Sequence, residues 1–325
     1  ILLIPIIILG SSIFIIASRY STNIIQTRNR ILLNTGIENM EAIMKQMEAI
    51  CINLSIRSSI SRKVASAFNH PYGGIPSSDY YLVNTVVNML LSVANSNEFI
   101  HSIYLYVPNN HQLFIDSNSG IKEIHRHIDN SWYKSTLEKS KEQITWFEKR
   151  EIYQYSFETA PTRVFSIYRR LSSPLLPGGV LVLNIYTDRI NNVFNEIARA
   201  SEIDFFMINN EGNIIFSNSD IYNYSAEFLA SVINNTQSEF TSIVDEKTVI
   251  IKKQYSQIHN DWLYVSIMDK SLISGLPRTI IRLTCTLILV CLITGVFLAY
   301  YLTKKNISYL KDILNIIEYA DKIGR

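Results

Sequence analysis

Two uncharged apolar runs bracket a long mixed segment. Residues 283–302 read LTCTLILVCLITGVFLAYYL, about 20 residues without a charge, the length an α-helix needs to cross the hydrocarbon core of a bilayer. Arg282 precedes the run and Lys304 and Lys305 follow it. Tyr300 and Tyr301 stand where an interfacial aromatic belt falls. A core helix of a soluble protein would usually keep one polar stripe, and this run keeps none. Residues 1–17, ILLIPIIILGSSIFIIA, are a second such run. Two readings compete there, a signal-peptide core or a membrane helix. No A-x-A cleavage pattern is evident, and helix-compatible sequence continues past Arg19, which favours an uncleaved membrane helix. The chain then leaves the membrane near Arg19 and returns near Arg282. Lys304 and Lys305 make the end after the second run the cytoplasmic one, although Arg278 and Arg282 weaken that signal.

Between the runs the period is first helical. Over 23–69, Leu33, Ile37, Met40, Met44, Met47, Cys51 and Leu54 recur at alternating steps of four and three residues, an a/d seam. The seam either pairs with the same helix of a second chain or packs on its own domain. The breakers at 70–76, HPYGGIP, end this helix. A second helix over 78–94 places Val83, Val86, Val87, Leu90 and Leu91 on one face.

The period then changes to two. Residues 102–107 and 112–116 read as strands around a turn at 108–111. Residues 130–137 read as a short helix carrying Trp132 and Tyr133, and 144–155 as a strand or hairpin. Residues 164–171 and 179–186 read as strands, after which Asp188 is placed to N-cap a helix bearing Ile190, Val193, Phe194 and Ile197. The sequence then repeats itself. YVPNNHQLFIDSNS (106–119) lies over MINNEGNIIFSNS (207–219) with a one-residue gap. Asn109, Asn110, Ser117 and Asn118 thereby correspond to Asn209, Asn210, Ser217 and Asn218. Strands at 249–255 and 262–268 repeat the closing pair, and Asp269 takes the place of Asp188. Each half runs hairpin, helical insert, two-strand meander, Asp, helix, and this order is the stronger sign of an internal repeat.

Composition narrows the field. The 325 residues allow more than one domain and carry a formal net charge of +2, so no strong field points to nucleic acid. Of three cysteines, Cys285 and Cys291 lie within the second apolar run and Cys51 stands alone, which leaves no disulfide framework and no CxxC metal site. HExxH, GxSxG and glycine-rich phosphate loops are absent. No catalytic residue, metal site or cofactor is therefore expected. His125 and His127 would share one face of a strand, and two surface histidines are the simpler account. The start without Met and the end in a helix suggest a piece of a longer protein.

A membrane helix, a stalk helix, two successive small α/β modules and a second membrane helix resemble an extracytoplasmic double Cache sensor of bacterial transmembrane receptors. The Trp132–Tyr133 pair and the meander GGVLVLNIYTD (178–188) carry the resemblance at residue level, and it covers roughly 20–277. It implies an α+β fold: two tandem PAS-like modules with antiparallel sheets on a long N-terminal stalk helix, flanked by two transmembrane helices. The corresponding division is 1–18 membrane helix, 19–72 stalk, 73–188 membrane-distal module and 189–278 linker helix with membrane-proximal module. The second membrane helix is then 279–302, and 303–325 a cytoplasmic signalling helix.

The resemblance further implies a small ligand on the distal module. Amino-acid-binding members of the family carry an Arg two residues before the Trp-Tyr pair and an Asp near the end of the last distal strand. Here those positions hold Asn130 and Asn184, so both charges of that clamp are missing. Trp132, Tyr133, Tyr168, Asn184 and Tyr186 are the candidate ligand-binding residues, with core packing as the alternative for each aromatic and a loop-backbone bond as the alternative for Asn184. Arg169 and Arg170 read as a solvated strand edge, and Trp262 as core. The seam at Ile307, Leu310, Leu314 and Ile317 resembles the membrane-adjacent helix of membrane-bound AraC-type transcription regulators of Gram-positive bacteria, or of sensor histidine kinases. The absence of a Pro in 306–310 fits the regulators better. The expectation is a multi-pass receptor of the cell membrane with 19–278 outside, as a homodimer. It would meet an extracellular small ligand or partner protein, and DNA only through a C-terminal domain beyond 325. A tethered ectoenzyme and a ligand-free adhesion protein are the competing classes.

Overall fold

The computed structural model describes residues 3–56, 58–70, 75–171, 178–199, 203–218 and 224–323. Helix α1 (Leu3–Ser55) is unbroken and carries the a/d seam, all seven members of which are buried in the chain's own core. The second of the two readings of the seam is therefore the observed one. The expected single helix over 23–69 is interrupted after Ser55, where the Ile52 carbonyl accepts both the Ser55 hydroxyl at 2.8 Å and Ile56 N at 3.1 Å. Helix α2 (Ser58–Phe68) follows, then α3 (Ser77–Asn95), which buries Val83, Val86, Leu90 and Ala94.

The distal sheet is antiparallel. Its strands are β1 (Ile100–Tyr106), β2 (Leu113–Asp116), β3 (Gly120–Glu123), β4 (Thr145–Ile152), β5 (Thr162–Arg170) and β6 (Val180–Tyr186), in the order β3-β2-β1-β6-β5-β4. Side chains alternate across a pleated sheet, so two cores form. Ile103, Leu105, Phe165, Ile167, Leu181, Leu183 and Ile185 pack with α1, α2 and α3. Tyr104, Tyr106, Phe114, Trp146, Tyr168, Val180 and Val182 face the other way, beneath Trp132 of α4 (Ser131–Glu138). The glycines before β6 have separate reasons. Gly178 has φ +91°, and a Cβ on Gly179 would lie 2.6 Å from Leu171 Cδ1. Strand β3 and the 3-10 turn Ile124–Arg126 were not expected from the sequence. They place His125 at the surface but bury His127, so the two histidines are neither on a strand nor both exposed.

Helix α5 (Thr187–Arg199) leads into β7 (Ile203–Asn209), β8 (Ile214–Ser217), α6 (Ala226–Asn234), β9 (Glu239–Val244), β10 (Lys247–Tyr255) and β11 (Trp262–Asp269), whose strands run in the order β8-β7-β11-β10-β9. Asp188 is not the cap of α5. The helix begins one residue earlier, and Asp188 lies in its first turn, bonded to Arg163 at 2.8 Å. An acid there still complements the helix dipole.

Asp269 does cap. Its carboxylate accepts from Ser271 N at 2.7 Å, ahead of α7 (Lys270–Ile323). The repeat extends to matching side-chain bonds. Asn109 Oδ1 accepts from His111 N and Leu113 N, as Asn209 Oδ1 accepts from Glu211 N and Asn213 N. Asn118 Nδ2 donates to His101 O, and Asn218 Nδ2 to Ile203 O.

The chain divides into two units. One comprises Leu32–Phe240 and Ile251–Ile267, and the other Ile1–Ile31, Thr241–Ile250 and Met268–Arg325. The first holds a single continuous apolar core running from α1 through the distal sheet to Phe205, Phe216, Trp262 and Tyr264. In the second, 282–315 of α7 is, among the described residues, the one helical stretch long and apolar enough to cross a membrane, and it is not buried within the chain. Most side chains of the first apolar run lie outside the described residues.

Candidate functional site

The outer face of the distal sheet is where the chain puts polar groups into an apolar setting. On that face the register aligns Ser166 of β5 with Asn184 of β6, and Asn184 with Ser102 of β1. Strand alternation thus makes a polar row across the middle of an aromatic surface. Asn184 Nδ2 donates to Ser102 Oγ at 2.8 Å, and Asn184 Oδ1 accepts from Ser166 Oγ at 2.8 Å. Asn184 Oδ1 also accepts from Arg150 Nη2 at 2.8 Å. Arg150 of β4 then bonds Ser166 through Nε at 3.0 Å and Asp129 through Nη1 at 2.8 Å and 3.0 Å. The side chains of Arg150 and Asp129 are 7% and 2% exposed, so this ion pair is desolvated and its partners are held by additional hydrogen bonds.

Asp129 gathers the rest. Its carboxylate accepts from Tyr104 Oη at 3.1 Å and Ser131 Oγ at 2.9 Å, and its carbonyl from His127 Nδ1 at 2.7 Å. His127 Nε2 lies 3.5 Å from Asp116 Oδ2. Burial by itself would lower the His127 pKa, but the Asp116 carboxylate and the Asp129 carbonyl and carboxylate together outweigh it and raise the pKa. Burial lowers that of His101, whose Nδ1 meets Ser102 Oγ at 2.9 Å. Burial also raises the Tyr104 and Tyr168 hydroxyls far above the usual phenol range.

Trp132, Tyr133 and Tyr168 come together in the aromatic cluster of this face. Trp132 sits 5.0 Å from Phe114 and 5.6 Å from Tyr133, and Tyr168 stacks on Trp146 at 4.9 Å. Both are fully buried. Trp146 Nε1 finds Ser135 Oγ at 3.2 Å. Among the described residues Trp132 Nε1 has no hydrogen-bond partner; the Tyr168 hydroxyl has the Glu148 carboxylate beside it as an acceptor, which adds to its pKa rise. Leaving a buried donor unpaired costs about 1–3 kcal/mol. Asn184 joins the same face through the polar row.

Tyr186 does not join them. It lies at the far end of β6, 4.9 Å from the His101 ring and beneath the Arg189 guanidinium at 4.3 Å. The reading of the sequence did not single out Arg150, Asp129, Ser166, Ser102 and Tyr104, and it took His127, which is buried here, for a surface residue. The signal available was alternation, which puts Ser102 and Ser166 in phase with Asn184. No group of three or more His, Cys, Asp or Glu side chains among the described residues is placed to hold a metal.

Arg169 and Arg170 are not a solvated edge. Both are half-buried. Arg170 lies over the Trp146 ring at 5.2 Å and donates to the carbonyls of Lys139, Ser140 and Gln143. Arg169 donates to Ser55 Oγ and Thr145 Oγ1. The long strand-borne side chains lie along apolar surface and find carbonyls and hydroxyls instead of water.

No family model and no curated protein matches the chain. Solved structures do. The extracellular domain of a putative histidine kinase superimposes with a TM-score of 0.50 at 16% identity, over 78% of this chain and 95% of that one. The ligand binding domain of Mlp24 with asparagine gives 0.49 at 13% identity, over 79% and 99%. The sensory domain of the Campylobacter jejuni chemoreceptor Tlp3 with isoleucine bound gives 0.45 at 11% identity, over 82% and 97%. The α+β fold of two antiparallel-sheet modules on a long helix is thus shared with the extracellular domain of that putative histidine kinase.

Proposed function

We propose that the chain is the sensory and membrane-spanning part of a bacterial transmembrane receptor, with 19–278 outside the cell and a small ligand bound on the outer face of the distal sheet. The observation that carries this reading is a fully buried donor, Trp132 Nε1, that has no partner among the described residues and borders the Asn184–Arg150–Asp129 network, beside the buried Tyr168 hydroxyl. Buried polar side chains are almost always paired, and an acceptor-bearing ligand pairs this one. Arg150 and Asp129 neutralise one another, so the donors this network leaves on the face are neutral. A small uncharged molecule rich in acceptor oxygens fits it better than an α-amino acid, consistent with Asn130 and Asn184 in place of that clamp's charges.

Ligand binding here shifts the population of two arrangements of the sensor. The shift passes along α5 and the proximal sheet into β11, whose chain continues without a loop into α7. Ile307, Leu310 and Leu314, exposed on α7, form a seam suited to a homodimer feeding an AraC-type DNA-binding output. A histidine kinase output is the second reading, and the fold shared with a putative histidine kinase supports it. The test is a thermal-unfolding screen of the chain in detergent against monosaccharides, disaccharides, amides, organic acids and amino acids. A neutral, oxygen-rich compound is expected to raise the Tm, and Asn184→Ala to abolish the rise. If no compound moves the Tm, the small-ligand reading fails. If an α-amino acid does so, the ligand class fails and the sensor reading stands.

A further inference from the structure

A cleft of about 950 Å³ opens on the opposite face of the distal sheet. It lies where β4 and β5 meet α1 and the turns after β7 and before β11. Its apolar wall is Phe147, Phe165 and Trp262, with ring centroids 5.0–6.0 Å apart, continued by Ile167.

Arg169 stands in this lining and is out of balance with its surroundings. Its guanidinium always carries a charge and is half-buried. Its partners are two neutral hydroxyls, Ser55 Oγ at 3.2 Å from Nε and Thr145 Oγ1 at 2.9 Å from Nη1. Among the described residues no carboxylate pairs with it, and its Nη2 has no protein partner. The stalk carboxylate of the cleft, Glu48, is taken by His259 Nε2 at 2.5 Å. Of the other acids there, Glu211 accepts from Asn213 Nδ2, Asp261 from Asn210 Nδ2, and Glu148 from Ser135 Oγ. Burial pushes the neighbouring Cys51 thiol up to about 12, so it supplies no thiolate.

We propose that this cleft is a second binding site, distinct from the outer face, for a small carboxylate with an aromatic or branched apolar body. The carboxylate lies in the open fork of Arg169, which matches it in geometry and charge, and the body lies on Phe147, Phe165 and Trp262. The occupant touches the stalk, the distal sheet and the proximal turns at once, so it is placed to modulate how a signal on the outer face is passed on.

Isothermal titration of the full chain in nanodiscs with benzoate, phenylacetate and 3-phenylpropionate, each beside its neutral amide, tests this. At least one acid is expected to bind about tenfold or more tightly than its amide, the loss of one charge-assisted contact. Arg169→Gln removes that preference, and Arg169→Lys keeps part of it. The proposal is overturned if no acid in the series is preferred to its amide in the parent chain, which requires no variant to fold. It is equally overturned if a folded Arg169→Gln retains the preference.

Discussion

Arg150 carries the largest single consequence on the outer face. Its removal leaves the Asp129 carboxylate buried and unpaired, and breaking a buried pair from one side costs about 3–5 kcal/mol. Arg150→Met is expected to lower the unfolding free energy by that amount in a urea titration. The double variant Arg150→Met/Asp129→Leu should recover part of it, because neither charge is then left alone. A double variant less stable than the single one would contradict the pairing.

His127 gives the face a pH dependence of known sign. In its neutral form it donates from Nδ1 to Asp129 O and turns the Nε2 lone pair toward Asp116; protonation converts that approach into an ion pair. Its folded pKa is raised. The resulting stabilisation is complete below the unfolded value of about 6.5 and is lost as the pH rises through the folded value. His127→Gln should therefore cost most in Tm at about pH 5.5 and least at about pH 8.5. His101 is common to both proteins and drops out of the comparison. A Tm difference that grows toward alkaline pH would contradict the assignment.

At this scale the sequence exposed Asn184, Trp132 and Tyr168 because each breaks or decorates a strong local period. Arg150 was hidden. In a charged stretch, EKRE, it reads as surface, and only the β4–β5–β6 register turns it inward beside Ser166 and Asn184.

At the scale of elements the internal repeat is the most exacting feature. Asn109 and Asn209 make the same two side-chain bonds to backbone N–H groups two and four residues on, so each fixes its hairpin by the same mechanism. Asn209→Ala is expected to cost about 1 kcal/mol and Asn109→Ala more, because Asn109 Nδ2 also donates to Val107 O and Leu113 O, measured by chemical unfolding. A cost for Asn109→Ala smaller than that for Asn209→Ala would contradict this account of the two turns.

The elements missed were the short ones that strand preference does not mark. Strand β3 reads GIKE, with all four residues half-exposed. β9 alternates between exposed and half-exposed positions with no buried residue, so neither shows an apolar period. The break after Ser55 was missed for another reason. Beside it the Ser55 hydroxyl donates to Ile52 O and accepts from Arg169 Nε, the second a contact between residues far apart in sequence.

For the molecule as a whole, the order of elements was legible and their burial was not. The seam of α1 looks from its spacing like half of a coiled coil. Its consumption in the core beside Ile103, Ile167 and Leu183 shows that heptad spacing reports an apolar stripe and not the identity of its partner. What distinguishes the two faces of the distal sheet is chemical. The inner face packs mainly apolar side chains on the stalk, whereas the outer face holds a buried polar network and the unpaired Trp132 Nε1. The most direct test of the sensor reading is a crystal structure of the chain with the uncharged compound that raises its Tm most. The account predicts that compound on the outer face, with an acceptor within hydrogen-bond distance of Trp132 Nε1. Finding it elsewhere, with that atom still unpaired or bonded to protein alone, would contradict the account.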